Sequence, residues 1–222
     1  SPSNSSKKYL CNKDGIEYAQ VIRKQLMGAV FYYQAVEVYL NKLSTADNTT
    51  VKDGQGTDME HYCDEAFGYL GVPTDFPTNV TGVKYWGEYA IKVNDKISAN
   101  SKIMNAFIKL RAAVSNKDYT TRDAQITEVK AVWEQVVAAS AIYELKAAKT
   151  TFSDDAQRNH YLSEALGFIY ALKYSSSKKI TQAQIDAAAS ALGTNFYNIT
   201  TGDIDSSINT INGVFGFDLT KF

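Results

Sequence analysis

The sequence predicts an all-α fold, a helical bundle with an internal pseudo-twofold repeat of a helical hairpin. Three observations carry this reading. Apolar residues recur at three- and four-residue steps over long stretches. All three prolines lie before residue 78, so the rest of the chain lacks the strongest helix breaker. No segment alternates with period two for long enough to require a sheet. At 222 residues, 45% apolar and 21% charged, the chain has the makeup of a globular protein with a sizeable core.

Residues 1–15 open on the polar run Ser1-Pro-Ser-Asn-Ser-Ser-Lys-Lys8 and read as an extended or disordered segment ahead of one bundle domain over 16–222. A first helix is expected over 16–43, with Val21, Ile22, Leu26, Val30, Tyr33, Val36 and Leu40 at helical steps. Its stretch 26–33 is apolar nearly all round, which predicts a central position. A polar loop over 44–56 follows. Thr57-Asp-Met-Glu60 then has the capping-box form, in which the hydroxyl and the carboxylate satisfy orphan backbone donors reciprocally. That second helix should stop at Gly71, with Pro73 beyond it. Residues 72–87 make a long aromatic connection, and connections of that length are often functional.

A third helix is expected over 100–116, with Ile103, Phe107, Leu110 and Val114 on one stripe. A fourth, over 121–150, carries Ile126, Val129, Trp133, Val136, Val137 and Leu145. Ser153-Asp-Asp155 starts a fifth that reaches 173, since acidic residues complement the dipole of a first turn. After a Ser/Lys linker, Thr181-Gln-Ala-Gln184 opens a short helix ending at Gly193. A last helix over 202–212 carries Ile204, Ile208 and Ile211.

The net charge of -1, from 23 basic and 24 acidic residues, argues against nucleic acid or an anionic membrane as partner. The most apolar stretch, 26–40, holds Gln34 and Glu37 and is shorter than the roughly 20 residues of a transmembrane helix. Cys11 and Cys63 could form one disulfide or remain two inert thiols. Fifteen tyrosines suit helix interfaces and surfaces that face carbohydrate or peptide. Gly-x-Ser-x-Gly, His-Glu-x-x-His and a phosphate loop are all missing, which leaves no nucleophile or zincin motif.

His61-Tyr-Cys-Asp-Glu-Ala-Phe-Gly-Tyr-Leu70 aligns without gaps with His160-Tyr-Leu-Ser-Glu-Ala-Leu-Gly-Phe-Ile169, and these are the only histidines. Each copy follows a long apolar helix, which suggests a repeated hairpin. On a helix, positions i, i+4 and i+7 share a stripe, here His61, Glu65 and Gly68, and His160, Glu164 and Gly167. If the copies face one another, His61, Asp64, Glu65, His160 and Glu164 form a patch that suits zinc or iron. The alternative is a pair of buried His–Glu hydrogen bonds that fix helix register.

Three segments carry a family resemblance: Leu26-Met-Gly-Ala-Val-Phe-Tyr-Tyr-Gln34, Glu60 to Pro73 with Asp75-Phe-Pro77, and Arg158 to Tyr174. Together they resemble an uncharacterised family of exported bacterial lipoproteins, a domain of unknown function placed near the imelysin-like proteins. The resemblance spans about 15–197. Family members are longer at the N-terminus, which implies that this chain is the C-terminal portion of a larger precursor. It also implies an exported, extracytoplasmic protein, an outer-membrane or cell-surface lipoprotein in its full-length form.

Imelysin-like proteins are helical bundles associated with iron or haem uptake, with Gly-x-His-x-x-Glu as the presumed metal motif. That motif falls on His61 and Asp64, but Met59 stands in the glycine position and Asp replaces Glu, with Glu65 adjacent. In the second copy Ser163 occupies the acid position, leaving Glu164. These departures speak against a metallopeptidase. Two expectations follow. One is an exported, non-enzymatic binding protein for a metal ion or haem, using the His/acid patch. The other is a structural or partner-docking domain of a surface assembly. In it the 72–87 loop and the tyrosines meet protein or glycan, and the His/Glu pairs are structural.

Overall fold

The computed structural model describes residues 1–222 and bears out the all-helical reading: it contains nine α-helices, short 3-10 turns and no strand. The helices are α1 (18–42), α2 (Asp58–Gly68), α3 (Trp86–Lys92), α4 (Asn94–Ile97), α5 (Ala99–Ser115), α6 (Tyr119–Thr150), α7 (Asp155–Ala171), α8 (Gln182–Ala191) and α9 (Thr201–Phe215). No helix is long and apolar enough to cross a membrane.

α1 departs from regular geometry. It is α-helical over Tyr18–Leu26 and Leu40–Lys42 and π-helical over Met27–Tyr32 and Gln34–Tyr39. The buried residues explain why. Lys24, Gly28, Tyr32, Val36 and Leu40 are all buried and recur every four residues. At 3.6 residues per turn such a stripe drifts about 40° per step and would leave the core within two turns. The wider π turns hold it on one face. A second step-of-four stripe, Tyr18, Ile22, Leu26 and Val30, is exposed, as is Tyr33. So Ile22, Leu26, Val30 and Tyr33, expected in the core, are turned outward. Only Val21, Val36 and Leu40 of that set are buried.

The capping signals are realised. Thr57 accepts from the Glu60 amide while the Glu60 carboxylate accepts from the Thr57 amide, and Thr181 with Gln184 repeats the arrangement. α9 has a third box, Thr200 with Asp203, and ends at Gly216 in the left-handed region. The fifth helix begins one residue later than its acidic signal suggests, because Asp154 is its N-cap and accepts from the Ala156 and Gln157 amides. α3 and α4 were hidden in sequence by the aromatic stretch before them. Trp86, Tyr89, Ala90 and Val93 are buried, so packing rather than pattern defines α3.

The chain groups into two compact units. One comprises residues 1–28, 137–173 and 179–222; the other comprises 29–136 and 174–178. In the first, the N-terminal half of α1 packs on α7, and α8 packs on α7 and α9. In the second, α2 packs on the second π segment of α1 and on α5, and α3 packs on α5. Trp133 of α6 anchors that core beside Tyr32 and Phe107, with ring centroids 5.9 and 6.3 Å away. Cys11 and Cys63 are both free thiols. Burial pushes the Cys63 thiol up to about 12, which keeps it protonated and inert.

Candidate functional site

The two copies of the His-Tyr-x-x-Glu-Ala-x-Gly segment lie on α2 and α7, in different units. Within each helix the predicted stripe exists, since His61 Nε2 is 3.8 Å from Glu65 Oε1 and His160 Nε2 is 3.9 Å from Glu164 Oε1. The surroundings are unlike. Asp64 is exposed and ion-paired to Arg111 Nε at 2.8 Å, and Arg111 also binds Glu60 at 2.8 Å. Hydrogen bonds from the Thr57 amide and the Ser115 hydroxyl, with the Arg111 guanidinium, lower the Glu60 carboxyl to about 2. This network ties α2 to α5.

The α7 copy is enclosed. Glu164 is buried and its Oε1 is 3.0 Å from the ammonium of buried Lys24. Buried Glu17 accepts from His160 Nδ1 at 2.6 Å, and since a carboxylate can only accept, Nδ1 carries the proton. Tyr9 stacks on the imidazole with centroids 4.5 Å apart. Ser163 donates to the Asn159 carbonyl and accepts from the Glu17 amide. Gly167 is needed for this contact, because a Cβ there would meet Lys24 Cβ at 2.7 Å and the Val21 carbonyl at 2.8 Å. No local pattern marks Glu17 and Lys24 as partners, because they sit about 140 residues away and belong to no repeat.

Each copy keeps partners from its own unit. No group of three or more His, Cys, Asp or Glu side chains is disposed to hold a metal ion. Asp64 is committed to Arg111, Glu164 to Lys24, and His160 Nδ1 to Glu17. With these commitments the side chains do not fit a metal centre.

What does open to solvent lies beside the α2 copy. A groove of about 530 Å³ is lined by Phe31, Tyr69 and Tyr85, by Glu65 and Gly68 of α2, and by Lys84. One wall is the aromatic connection noticed in sequence, which forms an Ω-loop. Its ends are clamped together, since the Lys84 amide donates to the Gly71 carbonyl at 2.8 Å and the Gly87 amide to Leu70 at 2.7 Å. Gly71 is obligatory there: φ is +79° and a Cβ would meet the Lys84 carbonyl oxygen. Buried Phe76 pins the loop's middle.

Two residues of the groove are unusual for their positions. Gly68 ends a helix with ordinary φ, is exposed, and has nothing within 4 Å of where a Cβ would lie. A helical glycine costs about 1 kcal/mol relative to alanine, and here that cost leaves the groove floor clear. Tyr85 has φ 51° and ψ −117°, a conformation that strains any side-chain-bearing residue. It places the Tyr85 ring against Phe31 with centroids 4.4 Å apart while nearly half of the residue stays exposed. Strain of this kind clusters at ligand-contacting positions.

A family model described as a domain of unknown function, DUF4856, matches residues 2–218, and the chain belongs to that family. Searches of curated proteins and of solved structures gave no match.

Proposed function

We propose that this member of the family is a non-enzymatic binding protein of the cell envelope whose working surface is the aromatic groove between α2, α1 and the 72–83 loop. The observation that carries the reading is Gly68, a glycine that no neighbour requires, on the floor of a groove walled by a strained tyrosine. Ligand sites are concave and mostly apolar with a few placed polar groups, which describes Phe31, Tyr69 and Tyr85 with Glu65 and Lys84. The His/acid pairs serve structure. His160 with Glu17, and Lys24 with Glu164, pair inside a helix contact, and His61 with Glu65 is a half-exposed pair beside the groove. Export, lipid anchoring and kinship to the imelysin-like proteins belong to the same proposal, and rest on the resemblance of the three quoted segments.

The test is an NMR titration of the labelled protein with soluble peptides and oligosaccharides, and separately with zinc, iron and haem. Shifts at Phe31, Gly68, Tyr69 and Tyr85 with one of the first two classes are expected. Stoichiometric metal or haem uptake centred on His61 or His160, with a silent groove, would overturn the reading.

A further inference from the structure

The groove is one end of a longer feature. Five aromatic rings follow one another across the same unit in the order Tyr62, Tyr39, Tyr69, Phe31 and Tyr85. Successive centroids are 6.0, 5.7, 6.2 and 4.4 Å apart, and none of the five residues is fully buried. The π segments of α1 create this alignment. Phe31 and Tyr39 are eight residues apart and would point about 80° apart on a regular α-helix. On the widened helix both reach Tyr69. The geometry that keeps Tyr32 and Val36 in the core thus also sets two rings of the ladder in line.

Charged groups flank the ladder at intervals. Lys42 holds its ammonium 4.7 and 5.2 Å from the Tyr62 and Tyr39 ring centres, Glu65 lines the middle, and Lys84 lies at the far end. Positive and negative groups alternate along it. From this we infer that the ladder is a binding face for an uncharged, linear glycan chain, an inference that rests on the groove being the working surface.

The chemistry selects this occupant over others. Flat sugar rings present C–H bonds to the negative faces of aromatic rings. Their hydroxyls both donate and accept, so Glu65 finds donors while Lys42 and Lys84 find acceptors. A single-stranded nucleic acid would also stack, but needs a positively charged track, and this face carries Glu65 among its few charges. A proline-rich peptide suits an aromatic groove. Its backbone offers chiefly carbonyl acceptors, so it would bring the Glu65 carboxylate few donors beyond its His61 neighbour. Strand addition has no sheet edge to use.

Calorimetric titration of the full chain with cellohexaose, xylohexaose and maltohexaose, each beside its disaccharide, tests the inference. A proline-rich decapeptide and an oligothymidylate serve as the other two arms. Binding of at least one hexasaccharide is expected, about tenfold or more tighter than its disaccharide. Tyr39→Ala should remove most of that length advantage and leave disaccharide binding in place, while Tyr69→Ala should weaken both. Circular-dichroism melts identify any variant that fails to fold, and Tyr39→Phe should then restore binding. If the decapeptide alone binds and shifts the groove resonances, the glycan inference fails and the binding-surface reading stands. If no arm binds, both fail.

Discussion

Gly167 sits where α1 meets α7, with backbone and side-chain atoms closer to its missing Cβ than any real Cβ tolerates. Gly167→Ala is therefore expected to destabilise the protein by about 1–3 kcal/mol, the usual cost of overpacking. Gly68→Ala should be neutral or stabilise by up to ~1 kcal/mol, because helix propensity gains and nothing is struck. Urea midpoints of the two variants would check both, and equal losses would contradict the asymmetry. Lys24→Met leaves Glu164 buried without its cation and should cost about 3–5 kcal/mol. His61→Ala removes only a half-exposed pair, so its expected change is within about 0.5 kcal/mol. Tyr85→Gly removes a backbone strain of order 1–3 kcal/mol and forfeits a ring contact of about 0.5–1.5, so stability should hold or rise slightly. A marked loss in its thermal midpoint would show that the ring packs more than it waits for a ligand.

At the scale of elements, α2 shows how capping and tertiary contact share one side chain. Glu60 closes the capping box with Thr57 and also meets Arg111 and Ser115 of α5. Its folded carboxyl is lowered to about 2 from an ordinary 4.5. The folded state thus binds the proton more weakly than the unfolded state does. The stabilisation is fully present above pH 4.5 and is lost as the pH falls towards 2. Wild type should exceed Glu60→Gln in denaturant midpoint above pH 4.5, and the gap should shrink through that window; a constant gap would contradict the assignment. The boundaries of α2, α5, α6 and α8 were legible from local chemistry, namely caps, glycines and apolar spacing. The outward face of α1 was not. Two step-of-four stripes, one through Tyr18, Ile22, Leu26 and Val30 and one through Lys24, Gly28, Tyr32, Val36 and Leu40, compete along it. The more apolar of the two is the exposed one, and only the π turns and the partner helices decide between them.

At the scale of the molecule, the repeated segment marked two real helices, yet sequence identity did not carry identity of environment. His160 and Glu164 have Glu17 and Lys24 as neighbours, while Glu65, beside His61, lines an open groove. Such partners come from distant parts of the chain and leave no local spacing to read. The 72–87 loop, by contrast, was visible through its length and its aromatics, and it walls the groove. Plasma emission analysis of chelator-free protein should find no stoichiometric zinc or iron, because no three ligands converge. The groove itself is probed most directly by cellohexaose titration of Gly68→Leu beside its thermal melt. The leucine should fill the groove floor, leave the thermal midpoint at or above wild type, and weaken binding about tenfold or more, equivalent to at least ~1.4 kcal/mol. A stable Gly68→Leu that binds cellohexaose with wild-type affinity would contradict the assignment of the groove as the binding site.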